Sequence, residues 1–435
     1  MLQKRLILRR WQSLVEPWEN VDWLLFILPV GLTLFGGIVI RSTELNYGWT
    51  DWWQHWLFGG IGFTLSLAIA RCRYHTLLQL QWLIYTLTNV SLIAVIFIGT
   101  SALGAQRWIT IGGFNIQPSE FAKVGAILTL AALLQERTAA TIPAVIKALA
   151  IISVPWVLVF VQPDLGTSLV FGAIALGMLY WGNANPGWLL LMISPIVSAL
   201  LFSICVPEWS QWSPDLAQAL LRSLPWLLWV LAMGAIGFFT LPWRLLAGGV
   251  ALLINVICGE LGHILWGLLK DYQKDRLILF LNPEKDPLGG GYHLIQSRIA
   301  IGAGQFWGRG LFQGTQTQLN FIPEQHTDFI FSAIGEELGF VGCVLVMFVF
   351  WMICLRLVAI AQNAPDNFGS LLTIGVLSML LFQVVVNIGM TIGLAPVTGI
   401  PLPWVSYGRS AILTNFIAIG IVQAVANNRR QRRYY

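Results

Sequence analysis

The sequence predicts an all-α polytopic membrane protein, a helical bundle with about twelve spans. Three observations predict it. Mean hydropathy over 435 residues is +0.72, only 10% of residues are charged, and apolar runs recur from residue 23 to residue 426. So few charges cannot cover a soluble surface, whereas helices satisfy their own backbone and can present apolar side chains to lipid. No polar stretch is long enough for a large soluble domain, which argues against a membrane anchor carrying one.

The elements follow in order. The N-terminal MLQKRLILRRWQSLVEPWEN is basic and amphiphilic. The run after it, VDWLLFILPVGLTLFGGIVI, is too long for a typical signal h-region and follows no cleavage site, so it reads as a retained first span. Spans are expected at 23–40, 53–70, 78–99, 118–135, 143–161, 165–181, 188–206, 225–240, 243–269, 333–358, 371–393 and 405–426. The short pieces 165–181 and 225–240 need tilt or helical extension.

An even number of spans places both termini on one side. With that side cytoplasmic, fourteen lysines and arginines fall inside and ten outside, six of the ten in one long loop where the positive-inside rule is weak. Three stretches then share the outer face: 99–120, 270–332 and 391–410. The tryptophans crowd span ends, as interfacial anchors do. Cys72, Cys205, Cys258, Cys343 and Cys354 lie in or beside apolar segments without ligand spacing and read as packing residues. The net charge of +5 is spread over short loops and ends, which suits membrane orientation and not nucleic acid.

The outer stretches hold the candidate chemistry. In NPEKDPLGGGYH (282–293), Pro287 restricts Asp286 to extended backbone, and Gly289, Gly290 and Gly291 permit a tight reversal or close approach by a ligand. Either this aims a carboxylate at a substrate or it opens a surface turn. In NIQPSEFAKVGAIL (115–128), Glu120 and Lys123 share one helix face near its outward end, as a structural ion pair or as a cleft for an anionic headgroup. Arg107 and Trp108, just ahead, offer a cation and a flat stacking face.

The run 292–308 has the periodicity of a short amphipathic helix along the interface. PEQHTDFIFSAIGEELGFVG (323–342) leads into the next span, with Thr327 or Asp328 as its expected cap. His326, Asp328, Glu336 and Glu337 raise zinc, yet no H-x-x-x-H pair or cysteine set accompanies them, so capping and a polar cleft wall are preferred. Glu260 and His263, three apart, read as a structural hydrogen bond.

NPEKDPLGGGYHLIQSRIAIGAG (282–304), GTQTQLNFIPEQHTDFIFSAIGEELG (314–339), RWITIGGFNIQPSEFAK (107–123) and QPDLGTS (162–168) closely resemble the RodA branch of the SEDS family, whose other branches are FtsW and SpoVE. The resemblance runs over nearly the whole chain. It implies a SEDS-type bundle in the bacterial inner membrane and a peptidoglycan glycosyltransferase that polymerises lipid II during cell elongation. Its implied partners are a class B penicillin-binding transpeptidase and the rod complex. It implies that Asp286 is the essential aspartate, Trp108 the first-loop tryptophan, and Glu120 with Lys123 the lining of the central cavity. His326 and Asp328 match a family signature that, like Arg107, is expected at the substrate. No tightly bound cofactor is expected, although a divalent cation such as Mg2+ or Mn2+ would suit the diphosphate.

One departure stands out. The family has ten spans, and the surplus two fall at about 207–269, expected as a transmembrane hairpin added before the large outer loop 270–332. Two readings from other classes compete: a lipid II flippase, and a non-catalytic scaffold for the transpeptidase. The acid-rich groups lie towards the expected outer face, which favours the polymerase.

Overall fold

The structure, a computed structural model, describes residues 21–45, 51–102, 105–111, 114–205, 216–268, 280, 286, 291–319 and 321–428. The basic N-terminal segment, the 207–215 start of the expected hairpin, and most of NPEKDPLGGGYH except Asp286 and Gly291–His293 lie outside the described residues.

The described helices longer than 16 residues are α1 (Trp23–Glu44), α2 (Trp52–Ala70), α3 (Tyr74–Ile98), α4 (Pro118–Glu136), α5 (Ile142–Val161), α6 (Leu165–Trp181), α7 (Pro186–Cys205), α8 (Leu216–Thr240) and α9 (Arg244–Leu268), then, past two short helices, α12 (Ile330–Gln362), α13 (Asn367–Ile392) and α14 (Arg409–Asn427). Each overlaps one expected span. Among the described residues, nine are long and apolar enough to cross a membrane, and α6 is apolar but has 17 residues. The chain is therefore a multi-pass membrane protein built as a polytopic helical bundle.

One expectation needs correcting: the fold is not wholly α. Thr100–Ala102 (β1), Ala105–Ile111 (β2) and Phe114–Ile116 (β3) form an antiparallel sheet in the order β1-β2-β3. Thr100 faces Trp108, and Ile109 faces Ile116. The alternation in QRWITI is that of a strand with two different faces, which helix counting passed over.

The chain divides into two compact units, one of residues 1–137, 143–181 and 279–435, the other of 138–142 and 182–278. In the larger, α14 lies against α2, with Gly62 against Phe416 and Gly420 against Ser66. Towards the C-terminus of α14, Gln423 exchanges hydrogen bonds of 3.0 and 2.7 Å with the Asp22 backbone, and Arg356 Nε donates to Asp22 Oδ2 at 2.9 Å. That clamp ties α1, α12 and α14 together.

In the smaller unit, α8 and α9 pack on each other and both pack on α7. Asn255 Nδ2 donates to Ser194 Oγ at 3.0 Å, Ser198 Oγ to the Asn255 carbonyl at 2.6 Å, and Trp226 Nε1 to Ser198 Oγ at 3.0 Å. Such polar bonds hold helices together where lipid removes any hydrophobic drive between them. Glu260 is exposed, and the His263 side chain lies outside the described residues.

Helix α12 is broken. Gly339 has φ 65° and ψ −161°, a conformation open essentially to glycine alone, where an unbroken span was expected. The backbone groups freed by the break are taken up by the preceding segment. Phe340 N–H donates to the Gln305 carbonyl at 2.9 Å and Val341 N–H to Phe306 at 3.2 Å, while Arg309 and Gly310 N–H donate to the Glu336 and Glu337 carbonyls at 3.0 and 2.9 Å. Of the two short helices, α10 (Tyr292–Gly304) docks on α12 and α13. Ser297 Oγ donates to the Thr391 carbonyl at 2.7 Å, and Arg298 Nη2 to the Gly393 carbonyl at 3.1 Å, at the left-handed C-cap of α13. The expected amphipathic helix is thus present, and it packs on protein. The other, α11 (Thr315–Gln318), is a single turn.

Gly339→Ala should cost about 1–3 kcal/mol in backbone strain alone, and its Cβ would also overlap the Gly308 amide. Gly172→Ala meets no atom within 4 Å and serves as the control. Apparent melting in detergent should fall by several degrees for Gly339→Ala and hold for Gly172→Ala. Equal melting of the two variants would mean that the joint between 305–310 and α12 is not structural.

Candidate functional site

The site is built where three helices begin. Asp164, buried just ahead of α6, accepts from Thr167 N–H at 3.2 Å and Thr167 Oγ1 at 3.0 Å. Its other neighbours come from the first outer stretch. Gln117 Nε2 donates to Asp164 Oδ2 at 3.2 Å, and Arg107 Nη1 lies 3.9 Å from Asp164 Oδ1. Arg107 Nη2 also donates to the Pro163 carbonyl. Gln117 N–H in turn donates to Ser410 Oγ at 2.9 Å, next to the start of α14. Gln117 itself precedes Pro118 at the start of α4. The N-termini of α4, α6 and α14 therefore converge on one residue, and their dipoles make the region favourable to anions.

One turn into α4, Lys123 Nζ lies 2.8 Å from both oxygens of Glu120, and both residues are buried, 1% and 3% exposed. The sequence places these two residues on one face, and the structure makes them a closed ion pair. A buried ammonium requires such a partner. An apolar groove of about 490 Å3 runs along another face of α4, lined among others by Leu87, Ile109, Ile116, Pro118, Phe121 and Leu128 and not by Glu120 or Lys123. Arg107 and Ile109 lie two apart on β2, and the pairing with β1 is irregular at Arg107, since Gln106 faces Ser101 and Trp108 faces Thr100.

The second half of the site is the segment before α12. Glu324 adopts φ 53°, and its carbonyl accepts from the N–H groups of Thr327, Asp328 and Phe329 at 3.2 to 3.4 Å. The turn leaves His326 and Asp328 half-buried. Burial holds the His326 imidazole below its usual pKa, against the opposing pull of Glu324 and Asp51, and so favours its neutral form. Phe329 stands at the N-cap of α12 without a side-chain cap, so neither Thr327 nor Asp328 fills that role. Thr327 Oγ1 bonds back to Glu324 instead.

This segment is anchored from beneath. The Glu336 carboxylate is fully buried and accepts from the N–H groups of Gln316 and Thr317 at 2.8 Å each and from Thr317 Oγ1 at 2.7 Å. Glu337 accepts from Ser42 on α1. Gln325 Nε2 reaches the Thr43 and Thr317 carbonyls at 3.2 and 3.0 Å.

The residues 407–410 join the halves. Tyr407 N–H donates to the His326 carbonyl at 2.9 Å, and Arg409 Nε donates to the Tyr407 hydroxyl at 2.8 Å. Ser410 meets Gln117 as described. Asp286 is exposed, and its carbonyl accepts from Gly291 N–H at 3.1 Å at the entry to α10. The sequence reading missed Asp164, Gln117 and the 407–410 link. QPDLGTS and VSYGRS both stood in stretches already singled out, but only the fold shows that they meet.

A family model for the FtsW, RodA and SpoVE proteins, described as cell cycle protein, matches residues 21–213 and 197–431. The chain is similar to the peptidoglycan glycosyltransferase RodA of Treponema pallidum (strain Nichols), 35% identical over 429 residues covering 95% of this chain and 98% of that one. It is 32% identical to the peptidoglycan glycosyltransferase MrdB of Escherichia coli (strain K12) over 422 residues, 95% and 96% of the two chains. Among solved structures it aligns with a chain of a peptidoglycan synthase complex that coordinates polymerization and crosslinking, at TM-score 0.68 and 26% identity over 95% of this chain and 100% of that one. The Thermus thermophilus rod shape determining protein RodA shares the fold at TM-score 0.59 and 23% identity, over 95% and 99%.

Glu336→Gln should loosen the 314–325 segment, because the amide nitrogen that replaces one oxygen would face one of the two backbone donors, and the charge that both accept from is lost. Hydrogen bonds to a charged group contribute about 1.5–3 kcal/mol each, so amide exchange at Gln316 and Thr317 should quicken at least tenfold. The exposed Glu260→Gln is the control. Unchanged exchange at both amides would remove Glu336 as the anchor.

Proposed function

This chain belongs to the FtsW/RodA/SpoVE family of peptidoglycan glycosyltransferases, and from that premise we propose that it polymerises lipid II into glycan strands during cell elongation, with Asp286 as general base. The observation that carries the reading is the adjacency of a charged hub and an apolar groove. Arg107 and the groove residue Ile109 both lie on β2, and α4 supplies the Glu120–Lys123 pair as well as the groove residues Pro118 and Phe121. An amphiphile with a long hydrocarbon tail, a diphosphate and a sugar suits that arrangement.

The acceptor's N-acetylglucosamine 4-hydroxyl gives its proton to the Asp286 carboxylate as its oxygen attacks C1 of the donor's N-acetylmuramic acid. The C1–oxygen bond to the diphosphate breaks, and the electron pair leaves with the lipid diphosphate. An α-linked donor and a β-1,4 product require one inversion, so no covalent sugar–enzyme intermediate is needed. Positioning of two lipid-bound reactants contributes much of the rate, and donors fixed around the developing charge contribute the rest. Lys123 and Arg107 each have a carboxylate partner and stabilise the diphosphate chiefly as oriented donors. His326 and Asp328 line the acceptor side, and Trp108 supports the first outer segment.

Glu120, Asp164 and Glu336 each engage protein donors, and no cluster of three metal-ligating side chains occurs among the described residues. A resident metal does not fit that donor set. A divalent cation, where used, would arrive with the diphosphate.

The architecture we propose has twelve spans: a ten-span family core and an added hairpin within 207–269, with both termini cytoplasmic and the loop 270–332 periplasmic. The partners are a class B penicillin-binding transpeptidase and the rod complex. Similarity to a chain of a peptidoglycan synthase complex supports that pairing.

Asp286→Ala should abolish glycan polymer from labelled lipid II, assayed with the transpeptidase present. General-base catalysis contributes roughly 100- to 10,000-fold, while the exposed position of Asp286 predicts unchanged folding and lipid II binding. Polymer at the wild-type yield would remove Asp286 from the role.

A further inference from the structure

The charges around Gln117 do not all cancel. Lys123 is held by both oxygens of Glu120, and Arg107 is paired with Asp164. Arg409 differs. It is half-buried as the first residue of α14, and its guanidinium carbon lies 6.0 Å from the Phe114 ring centroid and 5.9 Å from that of Tyr407. Its Nε is committed to the Tyr407 hydroxyl at 2.8 Å. Among the described residues, neither terminal nitrogen of Arg409 has a hydrogen-bond or ion-pair partner. Asp51 also interacts with the Tyr407 hydroxyl and, among the described residues, forms no ion pair with Arg409.

This is a preformed fork. Two rings and one hydrogen bond fix the plane of the guanidinium, and the remaining edge carries the paired N–H groups that match phosphate oxygens. The side chain next along the chain, Ser410, is bonded to Gln117 N–H, so the fork stands at the hub where α4, α6 and α14 begin.

We propose that Arg409 binds the diphosphate of the lipid-linked substrate through that edge and supplies the uncompensated positive charge that Lys123 and Arg107 do not. The assignment rests on the glycosyltransferase reading above. It makes Arg409 a substrate-binding residue on the donor side, acting as the diphosphate gains charge on departure. A lysine would keep the charge but lose both the fork and the stacking.

Binding separates this proposal from catalysis. The full-length protein in phosphatidylcholine nanodiscs is titrated with undecaprenyl diphosphate, undecaprenol and lipid II. Wild type should bind the diphosphate more tightly than the alcohol. Arg409→Ala should weaken diphosphate binding about tenfold or more, as expected for loss of a charge-assisted bond, and leave undecaprenol unchanged. Arg409→Lys should recover only part of the loss. Undiminished diphosphate binding by Arg409→Ala would overturn the proposal, as would an equal loss for undecaprenol, which marks a structural role. A loss seen with lipid II but not with undecaprenyl diphosphate would also overturn it, assigning Arg409 to a stem-peptide carboxylate. Because no turnover is required, Arg409-dependent diphosphate binding by a protein that forms no polymer would sink the polymerase reading and leave this assignment standing.

Discussion

A backbone that leaves helical geometry near lipid must find partners for every N–H and carbonyl it frees, and the segments around the candidate site depend on how that is done at Gly339. The four cross-bonds between residues 305–310 and the break in α12 satisfy these groups without water. They require glycine on both sides: Gly308 has φ 82° and lies against the Glu337 carbonyl, and Gly339 lies against the Gly308 amide. The joint has a consequence for chemistry. It fixes the end of α10, the helix that follows Asp286, and it brings the buried carboxylates of Glu336 and Glu337 beneath the segment that carries His326 and Asp328.

The carboxylates then divide by task. Glu336 and Asp164 hold chain segments in place by accepting several N–H and O–H groups each. Glu120 compensates a lysine. Asp286 is exposed at the entry to α10, where its carbonyl accepts from Gly291 N–H. A carboxylate surrounded by fixed donors is a poor proton acceptor, since those donors stabilise its charged form. The anchored carboxylates are thus suited to positioning, and the proposed proton transfer is left to the exposed Asp286.

Much of this was legible in the sequence. Hydropathy located each long helix because lipid-facing segments must be apolar, and the periodic run after residue 291 became α10. The Glu120–Lys123 spacing placed the pair on one face. What the sequence did not disclose were contacts between distant segments. Asp164 reads as an ordinary helix start until Gln117, Arg107 and Ser410 arrive from elsewhere in the chain. The strand β2 was hidden because its residues were read only as a loop between spans. The Gly339 break was hidden for a related reason: one glycine within an apolar run is common in membrane helices, and only its φ distinguishes it.

The central claim is that the elements gathered around this joint and around Gln117 work on one side of the membrane, the outer one. Cysteine accessibility in intact and permeabilised cells tests it most directly, with single probes at Arg244, the first residue of α9, and at Lys285, beside Asp286. An impermeant thiol reagent should label the probe at 285 from the periplasm, and the probe at 244 only once the cytoplasm is opened. Labelling of both from the same side would contradict the twelve-span arrangement and the placement of the catalytic loop.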